Sequence, residues 1–247
     1  MLSRRIYQFF IIYFIGLAIL LLFKFSLNLS DYVIPGPEEI LKTGRRYSGQ
    51  YFVAVLDTMM VAILGHFLSI ILATMVGIIG RLHFWIGSFI RVAAFNIQAY
   101  PIVAVAPIIF ILLGDGLSSR LLIAAMICYF PLLLSIIGVL TEPVTEIEHF
   151  FESTRRMNWR LQVRIRAFEN IQKLITVIVG SATLAMVGTI VAEFIAADAG
   201  IGYSIRIALF QSDLAKILIA LFFIGLCTSL YLVSLEWIGR RVKKRWE

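Results

Sequence analysis

The chain has 247 residues, 60% of them hydrophobic and 15% charged, with a mean hydropathy of +0.93. Soluble domains average about 25% charged residues, so a soluble globular domain is excluded and an all-α, polytopic membrane protein is expected. The net charge of +7 sits mostly in connecting segments, where it orients helices in a bilayer rather than binding nucleic acid.

A spanning helix needs about 20 mostly apolar residues, and runs of that kind predict about six spans, at 6–26, 51–79, 85–113, 119–141, 174–197 and 214–238. The first follows Arg4 and Arg5, as a signal peptide would. Its apolar run is long for that purpose and no small-x-small site follows, so it reads as a retained helix. Residues 27–50 carry the turn signal Pro35-Gly36-Pro37 and are expected to lie along the membrane surface. Pro101 and Pro107 should kink or break the third span, and broken backbone at membrane depth belongs in a bundle interior. Cys128 and Cys227 lie in apolar runs and read as small buried hydrophobes. His66, His83 and His149 form no metal-ligand pattern, and no metal or other cofactor is expected in this chain.

Between the fourth and fifth apolar runs lies a charged island, residues 142–173, holding Arg155, Arg156, Arg160, Arg164, Arg166 and Lys173 among five glutamates. The chain therefore reads as a single transmembrane domain over 1–247: a first helix (1–26), a five-helix core (51–238) and the island as its loop (142–173). Six spans put both termini and the island on one side. That side carries 14 of the 22 Lys and Arg residues, which makes it cytoplasmic by the positive-inside rule. Lys42, Arg45, Arg46, Arg120 and Arg206 fall on the other side. Within the island, Phe150, Phe151, Met157, Trp159 and Phe168 interleave with charge. The pattern suits short amphipathic helices that either lie on the membrane surface or dock on a soluble partner.

The segment Glu152-Ser153-Thr154-Arg155-Arg156-Met157-Asn158 resembles the E-A-A-x-x-x-G loop of ABC importer permeases. Asn158 stands in place of the glycine, and the Leu-Pro that follows in the family is replaced by Glu169-Asn170-Ile171. Further matches run in order along the chain. Val33-Ile34-Pro35-Gly36-Pro37, Ala99-Tyr100-Pro101 through Pro107, Gly114-Asp115-Gly116 with Ser119, Tyr129-Phe130-Pro131, and Ala192-Glu193-Phe194 before Gly200-Ile201-Gly202-Tyr203 are all similar to motifs of nitrate/sulfonate/taurine-type permeases. The resemblance implies a type I importer permease of the bacterial cytoplasmic membrane, with both termini inside. It implies three protein partners: a separate ABC ATPase, an extracytoplasmic solute-binding protein and a second permease copy, the homodimer being the commoner arrangement. Glu152, Ser153, Thr154, Arg155 and Asn158 would couple to the ATPase. Asn at position 158 is expected in the left-handed turn that glycine supplies.

Ionisable or polar residues inside spans default to functional hypotheses. Asp57, Gln98, Tyr100, Pro101, Met186 and Glu193 are the candidates for the translocation path. Glu193 also reads as a helix-end carboxylate bonded to a neighbouring helix, and Asp57 as a solvated interfacial acid. Val61 and Met186 stand where sulfonate-type relatives carry Arg and Trp, whereas Ala192-Glu193-Phe194 and the Gln98 to Pro101 stretch resemble relatives that move pyrimidine-like vitamin precursors. The expected solute is small and polar, either nitrate/sulfonate/taurine-like or, with the leaning of these motifs, a pyrimidine-type vitamin precursor. No G-x-x-x-x-G-K-[ST] occurs and no nucleophile–base pair is present, so the chain reads as a transport subunit rather than an enzyme. Two alternatives stay open at this point: an ion-coupled secondary transporter titrating Glu193 or Asp57, and a non-transporting membrane scaffold.

Overall fold

Every backbone N–H and C=O inside a bilayer has to find its partner within the protein, which favours helices for a chain of long apolar runs. The computed structural model describes residues 2–246, and the described residues form ten helices and no strand. Five helices are long and apolar enough to cross a membrane, and a bent pair makes a sixth if counted as one span.

Helix α1 (Leu2–Ser26) packs along α10 (Leu214–Trp246). Phe9, Phe10 and Tyr13 meet the Phe222 ring at centroid distances of 5.8, 5.9 and 5.1 Å. Gly225 leaves room for the Phe9 ring. The α10 helix runs past the expected end at 238. Lys243, Lys244 and Arg245 lie in its last turn, where cations favour the helix dipole.

Helix α2 (Pro37–Ile79) is longer than expected. Residues 37–50, read from the sequence as a surface segment, are its first turns. The reason is local: Pro37 opens the helix, Glu38 and Glu39 occupy the first turn, and Ile40, Thr43 and Tyr51 are buried. At about 1.5 Å per residue the helix runs roughly 65 Å, about twice a bilayer's apolar core.

The third predicted span is two helices, α3 (Phe84–Gln98) and α4 (Ile102–Leu113), bent by 91° at Ala99–Pro101. Pro101 makes the break and caps α4 at φ −66°. Pro107 sits inside α4 without interrupting it. Next come α5 (Leu117–Thr141), two short helices α6 (Thr145–Ser153) and α7 (Trp159–Glu169), α8 (Ile171–Ile195) and the ten-residue α9 (Ile201–Phe210).

The bundle centres on α2, α5 and α8, with α10 against α2 and α8. Small residues set this approach. Ala124 is fully buried; a Cβ on Gly65 of α2 would stand 3.0 Å from its Cβ, and one on Gly188 of α8 would stand 3.1 Å from its Cα. Both cysteines are buried and free. Several buried polar groups cross-link this core. His66 bonds Tyr231 Oη at 2.7 Å and Ser181 Oγ at 2.8 Å, while Ser69 Oγ reaches the Gly65 and Ala125 carbonyls, each at 2.9 Å. Ser181 donates to Ile178 O at 2.9 Å, so it accepts from the His66 Nε2–H, and Tyr231 donates to Nδ1.

Overpacking this three-helix junction is therefore costly. Ala124→Leu should lose about 1–3 kcal/mol, read as a lower unfolding temperature in detergent. An unchanged temperature would mean that the helices separate freely there.

Candidate functional site

Two polar clusters stand at opposite ends of α5 and α8. Arg120 and Thr141 mark them on α5, about 30 Å apart along the helix. The first cluster is at the α6–α7 end. Helix α6 closes in a Schellman arrangement: the Arg155 N–H donates to Glu152 O at 2.9 Å and the Arg156 N–H to Phe151 O at 3.0 Å. Arg155 takes the left-handed conformation, at φ 54°.

This corrects the reading of Asn158. It is extended, at φ −137°, and its Oδ1 accepts the Leu161 N–H at 2.9 Å as the N-cap of α7. Asn is among the best residues for that task. The left-handed turn lies three residues earlier and falls to an arginine.

Behind this turn, Arg166 is buried and holds Glu148 from both sides: Nε to Oε1 at 2.6 Å and Nη2 to Oε2 at 2.7 Å. Its Nη1 donates to the Leu140 and Thr141 carbonyls at 3.1 and 2.9 Å, which are the open C-terminal acceptors of α5. Gln162 donates to Glu148 Oε2 at 3.0 Å and accepts from Arg81 Nη2 at 2.9 Å. One guanidinium thus ties α7 to α6 and to the end of α5. The Arg166 hydrogen bonds hold the Glu148 carboxyl down at about 2 against the opposing effect of burial, helped by the Val144 N–H and Gln162. The expected coupling residues Glu152, Ser153, Thr154, Arg155 and Asn158 are all exposed. Phe150 and Trp159 beside them are 61% and 45% exposed.

The second cluster lies at the other end. Arg120 is 5% exposed and Glu193 is 0% exposed. Arg120 Nη2 donates to Glu193 Oε1 at 2.5 Å and to Asp57 Oδ2 at 2.6 Å. Glu193 Oε2 accepts from Thr58 Oγ1 at 2.7 Å and from the Gly202 N–H at 3.0 Å, and the Ile201 N–H donates to Thr58 Oγ1 at 2.8 Å. The first N–H groups of α9 therefore point into the acidic end of the cluster. Gly200, at φ 92°, makes this possible: a Cβ there would strike the Glu193 carboxylate. The cluster joins α2, α5, α8 and α9.

The remaining candidates separate. Met186 and Glu193 are enclosed, while Gln98, Tyr100 and Pro101 are exposed at the α3–α4 break. These three line a cavity of about 360 Å³ with Val105, Met126 and Phe130. Sequence reading placed Arg120 among the basic residues outside the membrane. It is instead the central buried group, and the one available signal was a lone Arg opening an apolar run. The Glu148–Arg166 pair left no local signal, since its members are 18 positions apart.

The family described as binding-protein-dependent transport system inner membrane component matches residues 65–247. The chain is similar to the riboflavin transport system permease protein RibX of Chloroflexus aurantiacus, at 33% identity over 150 residues; the match covers 61% of this chain and 56% of that relative. It is also similar to the formylaminopyrimidine transport permease protein ThiX of Halalkalibacterium halodurans, at 23% identity over 200 residues, 79% of this chain and 78% of the relative. So the chain spans little more than half of the first relative's length.

Removing one partner of a buried ion pair strands the other charge. Arg120→Met should cost about 3–5 kcal/mol, and adding Glu193→Gln to it should recover most of that loss. Unfolding in mixed micelles across the four proteins measures this, and strictly additive losses would contradict the pairing. The α6–α7 end should also be acid-sensitive. Because the folded Glu148 carboxyl lies below its ordinary value of about 4.3, its contribution is complete above that pH. It is lost as pH falls toward about 2. Amide exchange in α6 and α7, corrected for intrinsic rates, should accelerate over that window, and flat protection would refute it.

Proposed function

The chain belongs to the family of binding-protein-dependent transport inner membrane components, and from that premise we propose that it is the permease subunit of an ATP-driven importer. A P-loop ATPase on the α6–α7 side supplies the energy, a solute-binding protein delivers solute to the opposite face, and a second permease copy completes the path. The side bearing α6, α7 and both termini is cytoplasmic, in keeping with its basic residues. The chain sits in a bacterial cytoplasmic membrane.

One observation carries the coupling role. The exposed Phe150–Trp159 turn is not a loose loop. Arg166 fastens it to the C-terminal carbonyls of α5, so a push on α6 reaches a helix of the three-helix core. Aromatic residues standing out beside charge suit a groove on a soluble partner.

The α3–α4 break supports a reading of the solute. Gln98 offers an amide and Tyr100 a ring and hydroxyl beside an otherwise apolar cavity, which suits a small heteroaromatic solute. The relatives' names, riboflavin and formylaminopyrimidine permeases, are of that class. Met186 and Glu193, enclosed in this conformation, would meet solute only after the helices rearrange. Arg120 engages both Asp57 and Glu193, which favours this reading over ion-coupled transport, where one of those carboxylates has to take up and release the ion.

Tagged chain purified from its own membranes should bring ATP hydrolysis with it. Glu152→Lys should reduce that activity about tenfold or more while insertion and yield stay normal. Undiminished activity in the variant would remove the coupling assignment.

A further inference from the structure

At the α6–α7 end of the bundle, the turn between α2 and α3 carries a second basic site that coupling and transport do not use. A cavity of about 520 Å³ opens there between α2, α3 and α5, lined by Gly80, Arg81, Ser88, Arg91 and Thr141 among others. The α2–α3 turn is drawn tight, because Gly87 packs directly against the Gly80 carbonyl. That close contact holds the two arginines to one opening.

Neither arginine is neutralised. Among the described residues, neither Arg81 nor Arg91 forms an ion pair. Arg81 has five N–H donors; one reaches Gln162, and its Nε is buried without a partner. The nearby carboxylate, Glu148, is already held by Arg166, and Glu142 is held by Lys173. Burial lowers the Arg81 pKa, neighbouring Arg166 adds to this and Glu148 opposes it. The pocket thus has positive charge and free donors, with serine and threonine hydroxyls at its edge.

Its surroundings say what the anion is attached to. On the same helix as Arg91, Trp85, Phe89 and Val92 are 83%, 70% and 56% exposed. An aromatic and aliphatic face beside a basic pocket at the end of spanning helices is the setting of a lipid headgroup, with the rings at the interface and acyl chains alongside. We propose that Arg81 and Arg91 bind the phosphate of an anionic phospholipid from the leaflet on the α6–α7 side. Through Arg81 and Gln162 the headgroup adjoins the Arg166–Glu148 tether, so bound lipid braces the end of the bundle that carries α6 and α7. The site needs no ATPase and no solute, and its failure would leave the transport reading untouched.

Native mass spectrometry of the full chain in neutral detergent tests it, with dioleoyl phosphatidylglycerol, dioleoyl phosphatidylcholine and inorganic phosphate as separate probes. Phosphatidylglycerol adducts should dominate. Arg91→Gln, an exposed change that breaks no ion pair, should weaken them about fivefold, whereas Arg45→Gln on the distant first turns of α2 should not. Equal retention of the two lipids, or unchanged adducts in Arg91→Gln, would overturn the site. Phosphate adducts without a lipid preference would overturn the bilayer as the source.

Discussion

A guanidinium at 5% exposure stays charged, so carboxylates have to replace the water it has lost. Arg120 has two, Glu193 and Asp57, and the geometry of the bundle follows from meeting that demand. Glu193 has to be fully enclosed, so its second oxygen needs donors of its own, which Thr58 and the Gly202 N–H provide. The backbone has to come close enough to donate, which requires glycine at position 200. Four helices are fixed by one set of charges because none of those charges can be left alone.

The same logic recurs at the other end with different parts. Arg166 meets Glu148 on one edge and the open carbonyls of α5 on the other. Helix α5 thus carries a charged clamp near each end, with glycine- and alanine-lined contacts between. The His66, Tyr231 and Ser181 bonds add a neutral clasp between the two clamps. For a permease this matters. A short chain of hydrogen bonds joins α6 and α7 to the bundle, and the proposed coupling would run along it. At the far clamp the same helix meets the groups that hold α9 against α2.

Much of this architecture was legible beforehand. Apolar runs gave the spans because the bilayer admits few other solutions, and Pro101 announced the break because it has no N–H to donate. The family motifs around Glu152, Pro101 and Glu193 stood out as ordered spacings. What stayed hidden was pairing over distance. Arg120 meets residues 63 and 73 positions away, and apart from its place at the start of an apolar run nothing local distinguishes it from an arginine in an outer loop. Two local readings also gave way. The Pro35-Gly36-Pro37 signal reads as a turn within a surface segment, yet Pro37, Glu38 and Glu39 open a helix there. At Asn158, tolerance of a left-handed turn competes with the residue's preference for capping, and capping prevails.

The central claim is that the chain moves solute only when an ATPase acts on its α6–α7 face. Uptake into proteoliposomes tests it most directly, with a radiolabelled pyrimidine or flavin solute and the binding protein outside, and with ATP inside. The account predicts accumulation only when ATPase, ATP and binding protein are all present, and none under a proton or sodium gradient alone. Gradient-driven accumulation by the chain without an ATPase would contradict it.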